Sequence, residues 1–345
     1  MNEEKMKNNL NDVTKGEPKV SIIVLCYNNL EKCTKSCIES ILKSKNKSAY
    51  ELIVVDNAST DKTVDWLKEK AVGLNNIKII ANKYNEGFAR GNNIGIKVAT
   101  GEYIIILNND TIVTDFWIDN LCNPLKNETV GAVGPLTNCI DSLQEVKIPG
   151  LDISNWEQKS KQYLSNNDQD LIYVKKLCFF CVAFKKEVLV KIGLLDEKFG
   201  LGNFEDDDLC MRISKKYKLA IAKSCFIYHQ GSASFNKFDN ASLASIYSEN
   251  KAYFERKNSI RYSHLSKIDD AFDYFLNGNP RNIEEVKYRK RFLKRALTNA
   301  KIDEDYLYKN QVENLSKKQL IKLVDKCFFN GIITTCYRKI KKKLN

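Results

Sequence analysis

Three acidic clusters stand where a folded chain can put carboxylates to chemical use. Asp56 closes the apolar run Glu51 to Val55, and Asp110 ends Asn108-Asn109-Asp110 after the apolar run Tyr103 to Leu107. Glu205 to Asp208 open a helix-like segment, Phe204-Glu-Asp-Asp-Asp-Leu-Cys-Met-Arg212. Taken singly, each has a structural explanation: a carboxylate after a strand caps the next helix, and acids in a first turn complement the helix dipole. Gathered on one sheet edge, they describe a site for a divalent cation holding a diphosphate, because hard cations take oxygen ligands and share them with substrate phosphates. His229 has two readings of its own. It follows the strand-like Cys225-Phe-Ile-Tyr228, so it lies at a strand end rather than on an apolar helix face. Neutral imidazole there suits Mn²⁺, with an ordinary core or surface histidine as the alternative.

The elements that must position these groups follow from periodicity. Short β-branched runs alternate with amphipathic helical stretches, the pattern of βαβ units and a mostly parallel sheet. Strands are predicted at Val20 to Leu25, Glu51 to Val55, Ile77 to Ile80, Glu102 to Leu107 and Val130 to Val133, and a longer one over Tyr173 to Phe184. Helices are predicted at Glu31 to Lys43, Asp61 to Lys70, Phe88 to Ala99, near Phe116 to Leu125, from Lys186, and from Glu205 to about Tyr217. Ser59 and Thr60 are candidate N-caps for the second helix, with Asp61 and Asp65 in or near its first turn. In open α/β sheets ligands bind beyond the carboxyl ends of the strands, so Asp56 and Asp110 are expected to face one crevice. The pattern loosens over residues 140–170, read as an ordered insertion or acceptor loop. Beyond about Asn236 strands give way to helical sequence, which places a domain boundary near residue 238.

Composition bounds the function. The 345 residues are 43% hydrophobic and 28% charged, enough for two domains and a substantial core and unlike a disordered or fibrous chain. The longest apolar runs are about five residues, against roughly twenty for a membrane-spanning helix. The segment before Lys19 lacks the apolar stretch of a signal peptide and reads as a solvated tail, so the chain is expected in the cytoplasm. The eleven cysteines are odd in number and lie within apolar periodic segments, which predicts reduced, buried thiols. Cys178 and Cys181 have C-x-x-C spacing but no second pair to complete a zinc site.

Charge is localised. Of the net +12, residues 281–345 supply +11, from 18 Lys and Arg against 7 Asp and Glu. Tyr288-Arg-Lys-Arg-Phe-Leu-Lys-Arg295 and Tyr337-Arg-Lys-Ile-Lys-Lys-Lys-Leu344 interleave basic residues with aromatic or aliphatic ones. An amphipathic basic helix of this kind can lie on an anionic cytoplasmic leaflet, neutralise nucleic-acid phosphates or simply be solvated. The absence of a recognisable nucleic-acid-binding module favours the membrane, or an anionic lipid-linked acceptor.

Between Val20 and Phe235 the chain resembles the inverting family 2 glycosyltransferases of GT-A fold. The resemblance rests on an ordered set of motifs: Val20-Ser-Ile-Ile-Val-Leu-Cys-Tyr-Asn28, Val54-Val-Asp-Asn-Ala-Ser-Thr-Asp61, Asn85-Glu-Gly-Phe-Ala-Arg-Gly-Asn-Asn93, Leu107-Asn-Asn-Asp-Thr111, Phe204-Glu-Asp-Asp-Asp208 and Tyr228-His-Gln-Gly231. It implies a Rossmann-like mixed α/β sheet flanked by helices, in a catalytic domain of residues 19–238. A polar tail of residues 1–18 would precede it, and a helical, strongly basic domain of residues 239–345 would follow.

The resemblance also implies the activity: transfer of a sugar from a UDP- or dTDP-sugar to a hydroxyl of a glycan, lipid-linked saccharide or protein. One displacement with inversion would be assisted by Mn²⁺ or Mg²⁺. Asp56 would bind the nucleotide base, Asp110 would be the metal-binding acid with His229 as second ligand, and Asp206 would be the general base. Glu205 would contact an acceptor or sugar hydroxyl, while Asp207 and Asp208 organise the helix start. Asn85, Gly87, Asn92, Asn93 and Asn109 would complete the donor site, and Arg90 is either a diphosphate contact or a solvated residue. The chain departs from the family pattern at Asn108, which takes the first acidic position of the D-x-D motif; its amide oxygen can still coordinate or reach through water. Gly91-Asn92-Asn93 in place of Ala-Arg-Asn resembles the rhamnosyl- and galactofuranosyltransferase subgroup. Two rivals stand beside this reading: a non-catalytic GT-A partner subunit, suggested by Asn108, and a basic nucleic-acid-binding protein, suggested by residues 281–345.

Overall fold

The computed structural model describes residues 19–140, 142–164, 171–231 and 240–259. The chain divides into two compact units, Met1–Ile260 and Arg261–Asn345. All described residues belong to the first, so the polar tail, the expected boundary near residue 238 and the basic segment 281–345 lie outside them.

The frame is a mixed α/β sheet of eight strands in the order β3-β2-β1-β4-β8-β6-β9-β7. These are β1 (Val20–Cys26), β2 (Tyr50–Asp56), β3 (Ile77–Ala81), β4 (Tyr103–Asn108), β6 (Val130–Leu136), β7 (Leu171–Val174), β8 (Cys181–Lys185) and β9 (Lys218–Phe226). β5 (Thr111–Ile112) and β10 (Tyr228–His229) form a separate antiparallel ribbon. β1 and β2 are almost continuously apolar because helices cover both faces of a parallel sheet. Pairs β1–β2, β1–β4, β2–β3 and β6–β9 are parallel, whereas β8 runs antiparallel to both β4 and β6, and β7 antiparallel to β9.

The helices are α1 (Lys35–Lys43), α2 (Thr63–Ala71), α3 (Gly87–Val98), α4 (Trp117–Cys122), α5 (Trp156–Leu164), α6 (Lys186–Ile192), α7 (Glu205–Ser214) and α8 (Asn240–Asn258). A π-helical turn, Leu30–Thr34, leads into α1. α3 lies close on the sheet: a Cβ at Gly91 would come within 2.5 Å of Leu25 Cδ1, and one at Gly95 within 2.6 Å of Ile23 Cγ2.

Two expectations are corrected. The single strand over Tyr173 to Phe184 is two, β7 and β8. Residues 175–180 carry the chain from the sheet edge to its middle, and both halves keep a strand pattern because each is buried on a sheet. The second helix begins at Thr63 rather than Asp61, and neither Ser59 nor Thr60 caps it. Asp61 Oδ1 instead accepts from Thr63 N at 3.0 Å, while Ser59 and Thr60 bond to Asn28. Residues 142–164 of the loose region are ordered around α5 and a bridge between Thr137 and Glu145.

Nine cysteines are free among the described residues, most of them buried, with Cys139 exposed. Burial pushes the Cys37 and Cys178 thiols up to about 12.

Candidate active site

The strand register sets one end of the site. Cys26 pairs with Asp56 and Leu25 with Asn108, so β1, β2 and β4 end at one level. The loops after β1 and β2 are then locked together: Asn28 N donates to Ser59 Oγ at 2.7 Å, and Asn28 Oδ1 accepts from Thr60 N at 2.8 Å. Asn28, Asn29 and Ala58 all have positive φ here, a conformation for which asparagine is better suited than most side chains. Ser59 N also donates to Asp56 Oδ2 at 2.9 Å, leaving Oδ1 without a partner.

Asn57 joins the next loop to this one. Its Nδ2 donates to Asn85 Oδ1 (3.2 Å) and Gly87 O (3.0 Å), and its Oδ1 accepts from Asn82 Nδ2 (2.9 Å). Asn85 Oδ1 also receives Gly87 N, so this side chain shapes the entrance to α3. On α3 itself, Asn92 donates to Phe88 O while its Oδ1 stays buried without a partner. Asn93 is spent on structure, donating to Leu195 O and Glu197 Oε1. Arg90 lies on the exposed flank beside Glu86 at 3.1 Å.

At the end of β4, Asn109 turns its amide onto Thr34 Oγ1 at 2.8 Å, and the Asn108 carbonyl accepts from Thr111 Oγ1. Asp110 meets His229 because the β5–β10 ribbon pairs His229 with Thr111. His229 Nε2 lies 3.3 Å from Asp110 Oδ1. Asn138, after β6, holds the histidine backbone on both sides: His229 N donates to its Oδ1 (2.8 Å) and its Nδ2 donates to His229 O (3.0 Å). His229 Nδ1 is 2.7 Å from the Cys139 carbonyl; a carbonyl only accepts, so Nδ1 carries the proton. Phe180 stacks on the ring at 5.3 Å. Burial disfavours the charged imidazole, but the Asp110 carboxylate outweighs it and holds the histidine above its ordinary value.

These residues fit a divalent cation. Apart from His229 Nε2, Asp110 Oδ1 is buried without a hydrogen-bond partner, and the Nδ1–Cys139 bond presents Nε2 beside it, the outer-shell arrangement that orients metal-bound histidines. Among the described residues no group of three or more His, Cys, Asp and Glu could hold a metal by itself. A cation held by Asp110 and His229 would take its remaining ligands from water and phosphate oxygens.

The third cluster opens α7. Asp206 Oδ1 accepts from Asp207 N at 2.8 Å, and Glu205 Oε2 has no partner. Asp207 pairs with Lys176 at 2.6 Å, and Asp208 with Arg212 Nε at 2.8 Å; both lie in the first turn of α7. Burial, and then the Asp206 charge, raises the Glu205 carboxyl. Burial also raises Asp206, with Lys176 opposing it. One short run ties this cluster to the histidine: Lys176 holds Asp207, Leu177 N donates to Cys210 Sγ on α7 at 3.4 Å, and Phe180 covers His229. Four residue steps span at most about 14 Å.

Asp56 Oδ1, Asn92 Oδ1, Asp110 Oδ1 and Glu205 Oε2 are buried side-chain atoms without hydrogen-bond partners. Their residues are 1%, 0%, 5% and 7% exposed. Buried polar atoms are nearly always satisfied, so four oxygens of this kind, on residues at or just beyond strand ends, in the second turn of α3 or in the first turn of α7, call for a ligand rich in N–H, O–H or positive charge. The sequence reading named all four residues. It missed Asn28, Asn57 and Asn138, which orient them; the first two lie in motifs it quoted, whereas nothing local to Asn138 marks its contact with His229.

This sheet, with acids at its carboxyl edge, is the GT-A fold of glycosyltransferases. Residues 21–193, half of the chain, match glycosyl transferase family 2, and the chain belongs to that family. Among its relatives is an uncharacterized glycosyltransferase of Haemophilus influenzae, 25% identical over 282 residues that cover 79% of this chain and 85% of that protein. Glycosyltransferase GlyG of Streptococcus pneumoniae serotype 4 is 32% identical over 114 residues, covering 33% and 37% of the two chains. In fold, the crystal structure of GalNAc-T7 with UDP, GalNAc and Mn²⁺ matches with a TM-score of 0.54 at 16% identity, covering 86% of this chain and 58% of that one.

Proposed function

We propose that this family 2 glycosyltransferase moves a sugar from a nucleoside diphosphate to an acceptor hydroxyl by a single displacement with inversion. The observation that carries the reading is the set of four buried, unpartnered oxygens on Asp56, Asn92, Asp110 and Glu205. Asp56 supports a pyrimidine donor, UDP- or dTDP-linked. Ser59 N occupies its Oδ2, and the one free oxygen matches the single imide N–H of uracil or thymine. Asp110 and His229 would hold Mn²⁺ or Mg²⁺. When bound, the ion neutralises charge on the departing diphosphate.

The acid residues at the start of α7 do the proton chemistry. As the acceptor oxygen bonds to the anomeric carbon, the bond from that carbon to the diphosphate oxygen breaks, and the acceptor proton passes to Asp206. Glu205 contacts a sugar or acceptor hydroxyl through Oε2. The acceptor is a glycan, lipid-linked saccharide or protein, and Gly91-Asn92-Asn93 favours a rhamnosyl- or galactofuranosyltransferase-like specificity.

Donor hydrolysis across UDP-, dTDP- and GDP-sugars with Mn²⁺, Mg²⁺ or EDTA tests this. The expected result is diphosphate release from a pyrimidine donor, abolished by EDTA and by Asp110→Ala. Release that persists in EDTA would remove the metal, and preference for a GDP-sugar would remove the Asp56 argument.

Among the described residues no helix is long and apolar enough to cross a membrane. The basic segment 281–345 is proposed to bring the enzyme to an anionic membrane surface, a reading that fails if the full chain does not float with anionic liposomes.

A further inference from the structure

The segment that delivers Glu205 and Asp206 is conformationally costly. Gly200, Gly202, Asn203 and Phe204 all have positive φ, from 59° to 138°. For the bulky Phe204 this is a strained conformation that persists only where its surroundings enforce it.

The enforcing element is α8, which lies beyond the family match. Asn250, buried on that helix, donates from Nδ2 to Phe199 O at 2.8 Å and to Gly202 O at 2.7 Å. One turn on, Phe254 packs on Phe204 with ring centroids 5.6 Å apart, and Tyr247 of the same helix also packs on Phe204, at 5.1 Å. Lys257 bridges Asp196, before the loop, to Asp208, after it, at 2.7 Å each. Tyr253 donates its hydroxyl proton to Asp196 at 2.8 Å. The opposite side of the loop rests on α3, where a Cβ at Gly87 would come within 2.2 Å of Gly200 O. The loop is therefore gripped between the helix on the donor side and α8, with Asn250 bonding the carbonyls at both ends of its first turn.

We propose that Asn250 is a positioning residue for Asp206: by fixing the 199–204 loop it sets where the first turn of α7 presents that carboxylate. The assignment rests on the reading of Asp206 as general base. It makes α8 part of the catalytic apparatus although none of its residues is placed against substrate.

The test compares full-length wild type with Asn250→Ala, Asn250→Asp and Asp206→Asn, and with Lys251→Ala as a control on the same helix. Hydrogen exchange, UDP binding by calorimetry with Mn²⁺, and kcat are measured for each. For Asn250→Ala the expected result is at least tenfold faster exchange in peptides covering 199–210, unchanged exchange in β1 and β2, UDP affinity within twofold of wild type, and kcat down at least tenfold. Lys251→Ala should match wild type throughout. Unchanged exchange over 199–210, or a kcat within twofold of wild type, would overturn the proposal. So would a parallel fall of kcat and UDP binding, which marks lost folded protein. If Asn250→Ala does not fold, Asn250→Asp decides by the same criteria, because it keeps the shape and turns an acceptor toward the two carbonyls. Asp206→Asn separates the two levels. If it retains wild-type turnover, the base assignment fails and takes this proposal with it; if it is inactive while Asn250→Ala is normal, only the positioning role fails.

Discussion

His229 Nε2 lies 3.3 Å from Asp110 Oδ1, and the other ring nitrogen is bound to the Cys139 carbonyl. The two side chains come together because the β5–β10 ribbon sets one strand end beside another and Asn138 fixes the histidine backbone between them. A carboxylate oxygen and an imidazole nitrogen at this distance, the first otherwise unpartnered, are the pair proposed to hold the cation.

Asn138→Ala should weaken Mn²⁺ binding about 10- to 100-fold, the usual cost of losing a residue that orients a ligand, while leaving the sheet intact. Calorimetric Mn²⁺ titration in the presence of UDP checks this, and an unchanged affinity would show that Asn138 only ties two loops together.

Asp206→Asn should lower kcat by about 10²- to 10⁴-fold with UDP binding preserved. Because burial raises the Asp206 carboxyl and Lys176 opposes that rise, Lys176→Met should raise it further. The base then stays protonated to higher pH, so the acid limb of the kcat profile moves up. A limb that stays put or moves down contradicts the assignment.

At the other end of the sheet Glu51 is a buried structural acid. Ser21 Oγ (2.6 Å), Thr100 N (2.7 Å) and Lys78 Nζ (2.7 Å) all donate to it. Burial works against the charged form, but these donors together hold the carboxyl down at about 2. A depressed carboxylate stabilises the fold fully above its unfolded value, and that stability is lost as pH falls toward the folded one. Glu51→Gln should therefore cost about 1–3 kcal/mol at neutral pH, and the difference should narrow between roughly pH 4.5 and 2. Urea unfolding at pH 7 and pH 3 measures it; an equal difference at both would remove the electrostatic explanation.

Gly87 has φ of 75° and faces Gly200 O. Gly87→Ala adds a methyl where a backbone oxygen already sits and forces a left-handed alanine, so it should destabilise by more than about 1 kcal/mol and disturb the loop before Asp206. Thermal unfolding and kcat should both fall, whereas Gly73→Ala, also left-handed at φ 77° but with no atom within 4 Å, should lower stability by the backbone strain alone and leave kcat unchanged.

The sequence by itself determined the local half of this protein. A short, β-branched apolar run such as Val20–Cys26 reads as a strand covered on both faces, and an acid following such a run then sits at the strand's carboxyl end. Asp56, Asp110 and the Glu205–Asp206 helix start were legible for that reason. The two strands within Tyr173 to Phe184 were not, because burial on neighbouring parts of one sheet leaves the same apolar pattern on both. Tertiary structure alone decided that Asp110 meets His229, that Asn138 and Cys139 orient the ring, and that Lys176 reaches Asp207. It also left Asp56, Asn92, Asp110 and Glu205 each with a buried oxygen to fill. These relationships depend on how loops from different strands converge. No periodicity records that convergence, because its energy lies in contacts between residues far apart along the chain.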